Sequence, residues 1–428
     1  MHLVFLNQYH PPDAAPTGVM LAAVVEELRS QGHRVTVICA AGGYAEAAGA
    51  RPARDRPSDA HSADRSDPAT GNDTGCRVIR IRATRFGRGT FLGKLADYAS
   101  YYLGVAFRLA VIRPRPGRIV ALTTPPYLAV LARAMSKPLG CDHAHWVMDV
   151  YPDVMVAHGM LRDSGIPHRL LAGLAGWGIG GNRAAARLTL GPDMAATLAR
   201  QTRGTAPEPA WIPLWSTEPR KQRREEDNAA RIAARRREMG WTDDQMIVMY
   251  SGNMGLGHRF SEILEVIRGT PARHPPPARF VFFGAGKRRD EIEAFLAERP
   301  DAPVELHDYA PAEILHTHLM SADVHLASLD AKWTGTMLPS KLQGIFTAGR
   351  PVIFIGDSHS AISRWIDESG GGWVVAPGDT RALARAIDEA RDPDVRESRG
   401  GAAAEFAAAH FQRGPNAARA ATLLAAPR

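Results

Sequence analysis

One alternation governs this chain. An apolar run, a glycine-rich turn and an amphipathic helix follow one another, and the set recurs through both halves of the sequence. The first instance reads "HLVFLN", then "QYHPPDAAPTG", then "VMLAAVVEELRSQGH", then "RVTVICA". The middle segment has apolar residues at helical spacing, and Gly32 stands where a C-cap is wanted. Strand, helix and strand in this order make a parallel pair joined by a right-handed crossover. Such sheets bind ligands at the carboxyl ends of their strands, which turns Gly18 toward a cleft.

The second half restarts the pattern: "MIVMYSG", the helical "HRFSEILEVIRGT", "ARFVFFGAG", the helical "KRRDEIEAFLAE", "VELHDY", the helical "PAEILHTHLMSA" and "DVHLASL". At 428 residues the chain exceeds a single core. Two doubly wound α/β domains are expected, over residues 1–215 and 243–400. Residues 216–242 would link them, beginning extended and becoming a charge-laced helix that reads as a solvated face. Residues 401–428 would form a C-terminal helix packing back on the first domain. Residues 42–75 hold almost no large apolar side chain and read as a mobile loop.

Composition narrows the function classes. Three separated cysteines offer neither a disulfide framework nor a CxxC metal pair, which suits a reducing compartment. No stretch reaches the roughly 18 uncharged apolar residues of a membrane span. The N-terminal apolar run is short for a signal peptide. A cytoplasmic protein is expected, with a peripheral place at the inner face of the cell membrane also open. The net charge of +7 suits an anionic partner, though arginine-rich composition alone can produce it.

Three motifs could meet that partner. In "YSGNMGLGHRFSEILEVI" a buried strand ends at Gly252, and free N–H groups at the next helix start suit a phosphate. His258 and Arg259 could add donors and charge; a plain glycine turn is the alternative. In "FVFFGAGKRR" the strand end at Gly284 and Gly286 permits close approach by a nucleobase or ribose. In "TGTMLPSKLQGIFTAGRPVIF" Pro339 suits a first helical position, Ser340 could cap, and Lys341 falls in the first turn. A lysine there opposes the helix dipole by a few tenths of a kcal/mol unless an anion lies between. A snorkelling surface lysine is the alternative.

Taken jointly, "SGNMGLGHRF", "VFFGAGKRRDEIE", "PSKLQGIFTAGRPVIF" and "GGGWVVAPGDTRALARAI" resemble the C-terminal half of a family-four retaining glycosyltransferase. "NQYHPPDAAPTG" and "GHRVTVI" resemble its N-terminal start. The nearest branch carries "PSKL" and includes bacterial O-antigen and capsule sugar transferases of the fucosaminyl-transferase type. The resemblance implies a GT-B fold, two Rossmann-like domains facing a cleft, with a nucleotide sugar held mainly by the second domain. It implies transfer with retention and no obligatory metal or other cofactor, and the sequence holds no Asp-x-Asp metal pair of the other large fold class.

Several positions depart from the wider family. Its phosphate-binding arginine falls on Asn253 and its lysine on His258; its paired glutamates fall on Thr336 and Gly344. Gly344 cannot grip a ribose, so Gln343 is a substitute and Lys341 a candidate for the phosphate charge. "HWVMDVYPD" resembles the loop beside the sugar, with Asp149 positioned to orient a sugar or acceptor hydroxyl or, alternatively, to cap the next helix.

The acceptor would be saccharide or linked to polyprenyl diphosphate. Residues 77–118 carry Arg77, Arg80, Arg82, Arg85, Arg88, Lys94, Arg108, Arg113, Arg115 and Arg118 against one acid, Asp97. Interleaved aromatics suit an anionic membrane surface; a sheet-packed helix with solvated arginines is the alternative. Nucleic acid is not expected, since the aromatics follow helical spacing and no nucleic-acid module is present. Two further readings stay open. One is a non-hydrolysing nucleotide-sugar 2-epimerase of the same fold; the other is a non-catalytic membrane-associated binding protein.

Overall fold

The computed structural model describes residues 1–13, 15–41, 76–84, 91–202, 207–216, 225–269 and 278–427. The expected loop 42–75 lies outside them, as do Arg85, Phe86 and Arg88 and the side chain of Lys94.

The first half runs β1 (His2–Leu6), α1 (Pro16–Ser30), β2 (Arg34–Ala40), β3 (Cys76–Ile81), α2 (Phe91–Val111), β4 (Arg118–Ala121), α3 (Leu128–Leu139), β5 (Asp142–Trp146), α4 (Asp153–Ala157), α5 (Ile166–Ile179), β6 (Ala184–Thr189), α6 (Pro192–Thr202) and β7 (Ala210–Trp211). The second runs α7 (Glu225–Glu238), β8 (Met246–Ser251), α8 (Ser261–Gly269), β9 (Ala278–Phe283), α9 (Arg289–Glu298), β10 (Val304–His307), α10 (Leu315–Met320), β11 (Val324–Ser328), α11 (Lys341–Thr347), β12 (Val352–Ile355), α12 (Ala361–Ser369), β13 (Gly372–Val375) and α13 (Thr380–Glu389). Helices α14 (Pro393–His410) and α15 (Arg413–Ala425) close the chain.

Two parallel sheets result, ordered β3-β2-β1-β4-β5-β6-β7 and β10-β9-β8-β11-β12-β13. In each, the strand order reverses beside the first strand of the domain, at β1/β4 and at β8/β11, and a crevice opens there at the carboxyl ends. Strands β1 and β12 are buried along their whole length, because helices cover both faces. That is why they read as continuous apolar runs rather than as alternation.

The halves are joined at both ends. Helix α15 lies along α1 and reaches β6, with Ala417, Ala420, Ala421 and Leu424 buried. Arg413 pairs with Glu26 at 2.9 Å. Across the cleft, the Val150 N–H donates to the Thr336 carbonyl at 2.7 Å, and Asp149 forms an antiparallel bridge with Met337. Asp193 accepts from the Ala361 N–H and pairs with Arg364.

Four expectations need correction. Pro339 does not open a helix: α11 begins at Lys341, after a loop whose Thr336 carbonyl is engaged by the other domain. Ser340 precedes the helix, but its side chain makes no capping bond. Helix α7 is not wholly solvated: Arg235 is buried, and Arg236 binds Asp323 and the carbonyls of Ser321, Thr242 and Gln245. Arg118 is not a surface cation; it is 2% exposed, lies 3.7 Å from Asp142 and donates to the Leu424 carbonyl. Among the described residues, no helix is long and apolar enough to cross a membrane.

Candidate functional site

The carboxyl ends of β8, β9 and β11 build one cluster. Strands β8 and β9 approach so closely that a Cβ on Gly284 would stand 2.1 Å from the Gly252 carbonyl oxygen. Gly252, at φ +129, lies under the Lys341 side chain, where an added Cβ would stand 3.0 Å from Lys341 Cε. Backbone therefore lines this crevice where side chains would otherwise fill it. Asn253 stands between the two turns, its Oδ1 2.8 Å from where a Cβ on Gly286 would be.

Lys341 enters from α11. Its Nζ donates to the Asn253 carbonyl at 3.3 Å and to His258 Nε2 at 3.0 Å, and lies 4.9 Å from the centre of the Tyr250 ring. The imidazole can accept because its other nitrogen is committed: Nδ1–H donates to the Ser328 carbonyl at 2.7 Å. Burial, together with the Lys341 cation, lowers the His258 pKa to about 3. His258 is thus neutral and holds the ammonium in place; it does not supply the charge that its position suggested. Burial lowers Lys341 from 10.5 to about 7, although the side chain keeps part of its surface open to the crevice. Two acceptors occupy two of three ammonium N–H bonds, and one is left for a ligand.

Arg259 differs. Its guanidinium binds Glu262 and, at 3.2 Å, Asp330. Burial alone would raise the Glu262 pKa, but bonds from Arg259, from Ser261 and from the Gly378 N–H hold it below the usual range. Both helix starts also fall later than expected: α8 begins at Ser261, so His258 and Arg259 occupy the loop before it. The remaining predicted positions are dispersed. Ser340 is exposed beside Lys341. Thr336 is buried, and its hydroxyl donates to the Trp333 carbonyl at 2.8 Å. Gln343 is 1% exposed, and neither amide atom has a hydrogen-bond partner among the described residues. Gly18 packs against the Tyr9–His10 backbone in the first domain.

A second cluster lies at the carboxyl ends of β4 and β5. Asp149 lines a small cavity with Thr123, Tyr127, His145, Tyr151 and Gln201. Its backbone N–H donates to Thr123 Oγ1 at 3.2 Å. Burial raises the Asp149 carboxyl to about 6. The alternative role as a helix cap is excluded by α4, whose N-cap is Pro152 and which has no side-chain cap. Burial also lowers His145, which lines the same cavity, to about 4, so it is neutral. Sequence reading passed over Tyr127, Tyr151 and His145; only the fold shows that they converge. Among the described residues no group of three His, Cys, Asp or Glu side chains is placed to hold a metal ion.

Residues 245–392 match the family model described as "Glycosyl transferases group 1". The chain is 28% identical over 284 residues to a probable glycosyltransferase, WbjE, of Pseudomonas aeruginosa, covering 66% of this chain and 68% of that protein. It is 23% identical over 405 residues to a putative colanic acid biosynthesis glycosyl transferase, WcaI, of Escherichia coli (strain K12), covering 91% and 92%. The fold superposes on WaaG, a glycosyltransferase involved in lipopolysaccharide biosynthesis, with a TM-score of 0.64 at 15% identity over 99% of this chain and 100% of that one. It superposes on Anabaena HepE in complex with UDP with a TM-score of 0.67 at 13% identity, covering 100% of each. The chain as a whole has the GT-B fold, and its residues 245–392 are similar to the group 1 glycosyltransferases.

Proposed function

We propose that this protein transfers a sugar from a UDP-linked donor to a saccharide or lipid-linked acceptor in surface-glycan assembly, with retention of configuration and without a metal. The observation that carries the reading is the Lys341 ammonium, held over the glycine-lined ends of β8 and β9 by Asn253 and His258. A nucleotide sugar presents a diphosphate, and its departure as nucleoside diphosphate develops negative charge on the bridging oxygen. A cation fixed in advance stabilises that charge without reorganising. Complexes of HepE with UDP and with UDP-glucose support uridine as the base.

The bond from the anomeric carbon to the phosphate oxygen breaks, and a bond from that carbon to the acceptor oxygen forms on the same face. The acceptor proton passes to the departing phosphate. Asp149 faces this chemistry from the first domain, where it accepts a hydrogen bond from a sugar or acceptor hydroxyl and orients it. Ser340 and Gln343 flank the donor, and Gly18 meets it from the first domain. The hydrogen bond from the Val150 N–H to the Thr336 carbonyl ties the loop after Asp149 to the loop before Lys341, and closure of the cleft around the donor would keep water from the activated sugar.

A thermal-shift panel of UDP, GDP, dTDP and their sugars tests the donor class. A ligand at about 100 times its dissociation constant stabilises by roughly 2.7 kcal/mol. A shift confined to uridine compounds is expected. A guanosine or thymidine preference would reject the donor assignment. Turnover of a UDP-sugar to its 2-epimer without acceptor would favour the epimerase reading.

A further inference from the structure

Helix α5 is built inside out. Its buried positions are small, Ala175 and Gly178 with Ile179, while Ile166, Leu170, Leu174 and Trp177 are 75%, 70%, 42% and 44% exposed. The small residues have a packing reason. A Cβ on Gly178 would stand 2.9 Å from the Val130 backbone of α3, and one on Gly176 2.7 Å from the Gln201 carbonyl of α6. The large apolar residues have no such reason, since they follow one another along the outer face at helical spacing. Helix α2, on the far side of α3, repeats the arrangement: Tyr101, Val105 and Leu109 face the sheet, while Leu103, Phe107 and Val111 face out. Met160, 62% exposed, extends the apolar surface ahead of α5.

The charge on these helices is almost all of one sign, although Asp163, in the loop before α5, lies 4.0 Å from His168 of that helix. Across α2, α3 and α5 the only carboxylate is Asp97, and it accepts from the Thr84 hydroxyl. The same three helices carry Arg108, Arg133, Lys137 and Arg169, and Arg113 and Arg115 are exposed just beyond α2. Arg133 lies 4.5 Å from the centre of the Trp177 ring, a pairing suited to a boundary between water and hydrocarbon. A protein partner of complementary charge would be acidic, but apolar rows on two helices set in a cationic field match an anionic bilayer better. This layer also roofs the acceptor side, because Ala129 and Val130 of α3 and Ala175 and Ile179 of α5 line the Asp149 cavity.

We propose that the outer faces of α5 and α2 form one interfacial docking surface for an anionic lipid bilayer, with Ile166, Leu170, Leu174 and Trp177 inserting at its centre. The surface stands independently of the donor assignment, and joins it by presenting a lipid-linked acceptor next to Asp149. The centre of docking then lies on α5, outside the basic 77–118 stretch.

Flotation of the full-length protein with vesicles tests this without nucleotide or sugar. With phosphatidylcholine containing about 30% phosphatidylglycerol the protein should float, and with phosphatidylcholine alone it should remain below. Leu170→Glu should lower the floated fraction roughly tenfold or more, with an unchanged melting temperature because the site is exposed. Phe107→Glu gives a second, independent reading on α2. Failure of the unaltered protein to float with anionic vesicles would overturn the proposal, as would a Leu170→Glu variant that melts normally and floats equally well. A dimer that ignores vesicles and that Leu170→Glu splits would also overturn it, assigning the face to a second copy of this chain.

Discussion

The two crevices at the carboxyl ends of the two sheets come from the same topology and have opposite chemistry. In the second domain the ends of β8 and β9 are glycines, and Lys341 keeps a cation there, held by a carbonyl and a neutral imidazole rather than by a carboxylate. In the first they are polar and aromatic residues around a carboxyl, Asp149, whose affinity for a proton is raised by burial. A doubly wound sheet supplies only the place for a ligand. Which ligand it takes depends on whether a charged side chain there is already neutralised. Arg259 shows the point, because it is near Lys341 in the fold yet is consumed by Glu262 and Asp330.

That contrast can be broken one residue at a time. The largest effect is expected at Asp149. Asp149→Asn keeps shape and removes the carboxylate, so transfer should slow roughly tenfold to a hundredfold while UDP affinity stays unchanged; equal losses in both would move Asp149 to the donor side. Arg259→Ala should act on stability. It leaves the buried Glu262 with fewer partners, and a loss of about 1–3 kcal/mol is expected in denaturant unfolding, with donor affinity retained in the folded protein. A stable variant that no longer binds UDP would return Arg259 to the donor site.

Much of the fold was legible because its strands are covered on both faces. "MIVMYSG" and "RPVIF" read as strands because each is a short, nearly continuous apolar run, as burial on both faces requires. Helix α5 was not legible. Gly173, Gly176 and Gly178 argue against a helix by propensity, and tertiary packing against α3 and α6 overrides that preference. The helix starts at Lys341 and Ser261 were misplaced because the loops before them answer to distant partners, the Val150 N–H in one case and Ser328 in the other. At the site, Lys341 and the glycines could be picked out locally. The neutrality of His258 could not, since it depends on a carbonyl 70 residues away and on a lysine 83 residues away. The orphaned Gln343 amide has no explanation in its surroundings.

Lys341 carries the account, and the affinity of one UDP-sugar for the unaltered protein, for Lys341→Ala and for Lys341→Arg tests it most directly. A diphosphate diester does not titrate near neutrality, so pH acts through the protein. Lys341 is charged below about pH 7 and loses its proton above it. Affinity of the unaltered protein should therefore fall as pH rises through 7, and binding near pH 7.5 should take up a proton, because the anion restores the charged form. Lys341→Ala should weaken binding about tenfold or more at pH 6.5 and abolish the pH dependence. Lys341→Arg should keep binding and flatten the profile. Unchanged affinity in folded Lys341→Ala would contradict the account and leave the diphosphate to other groups in the cleft.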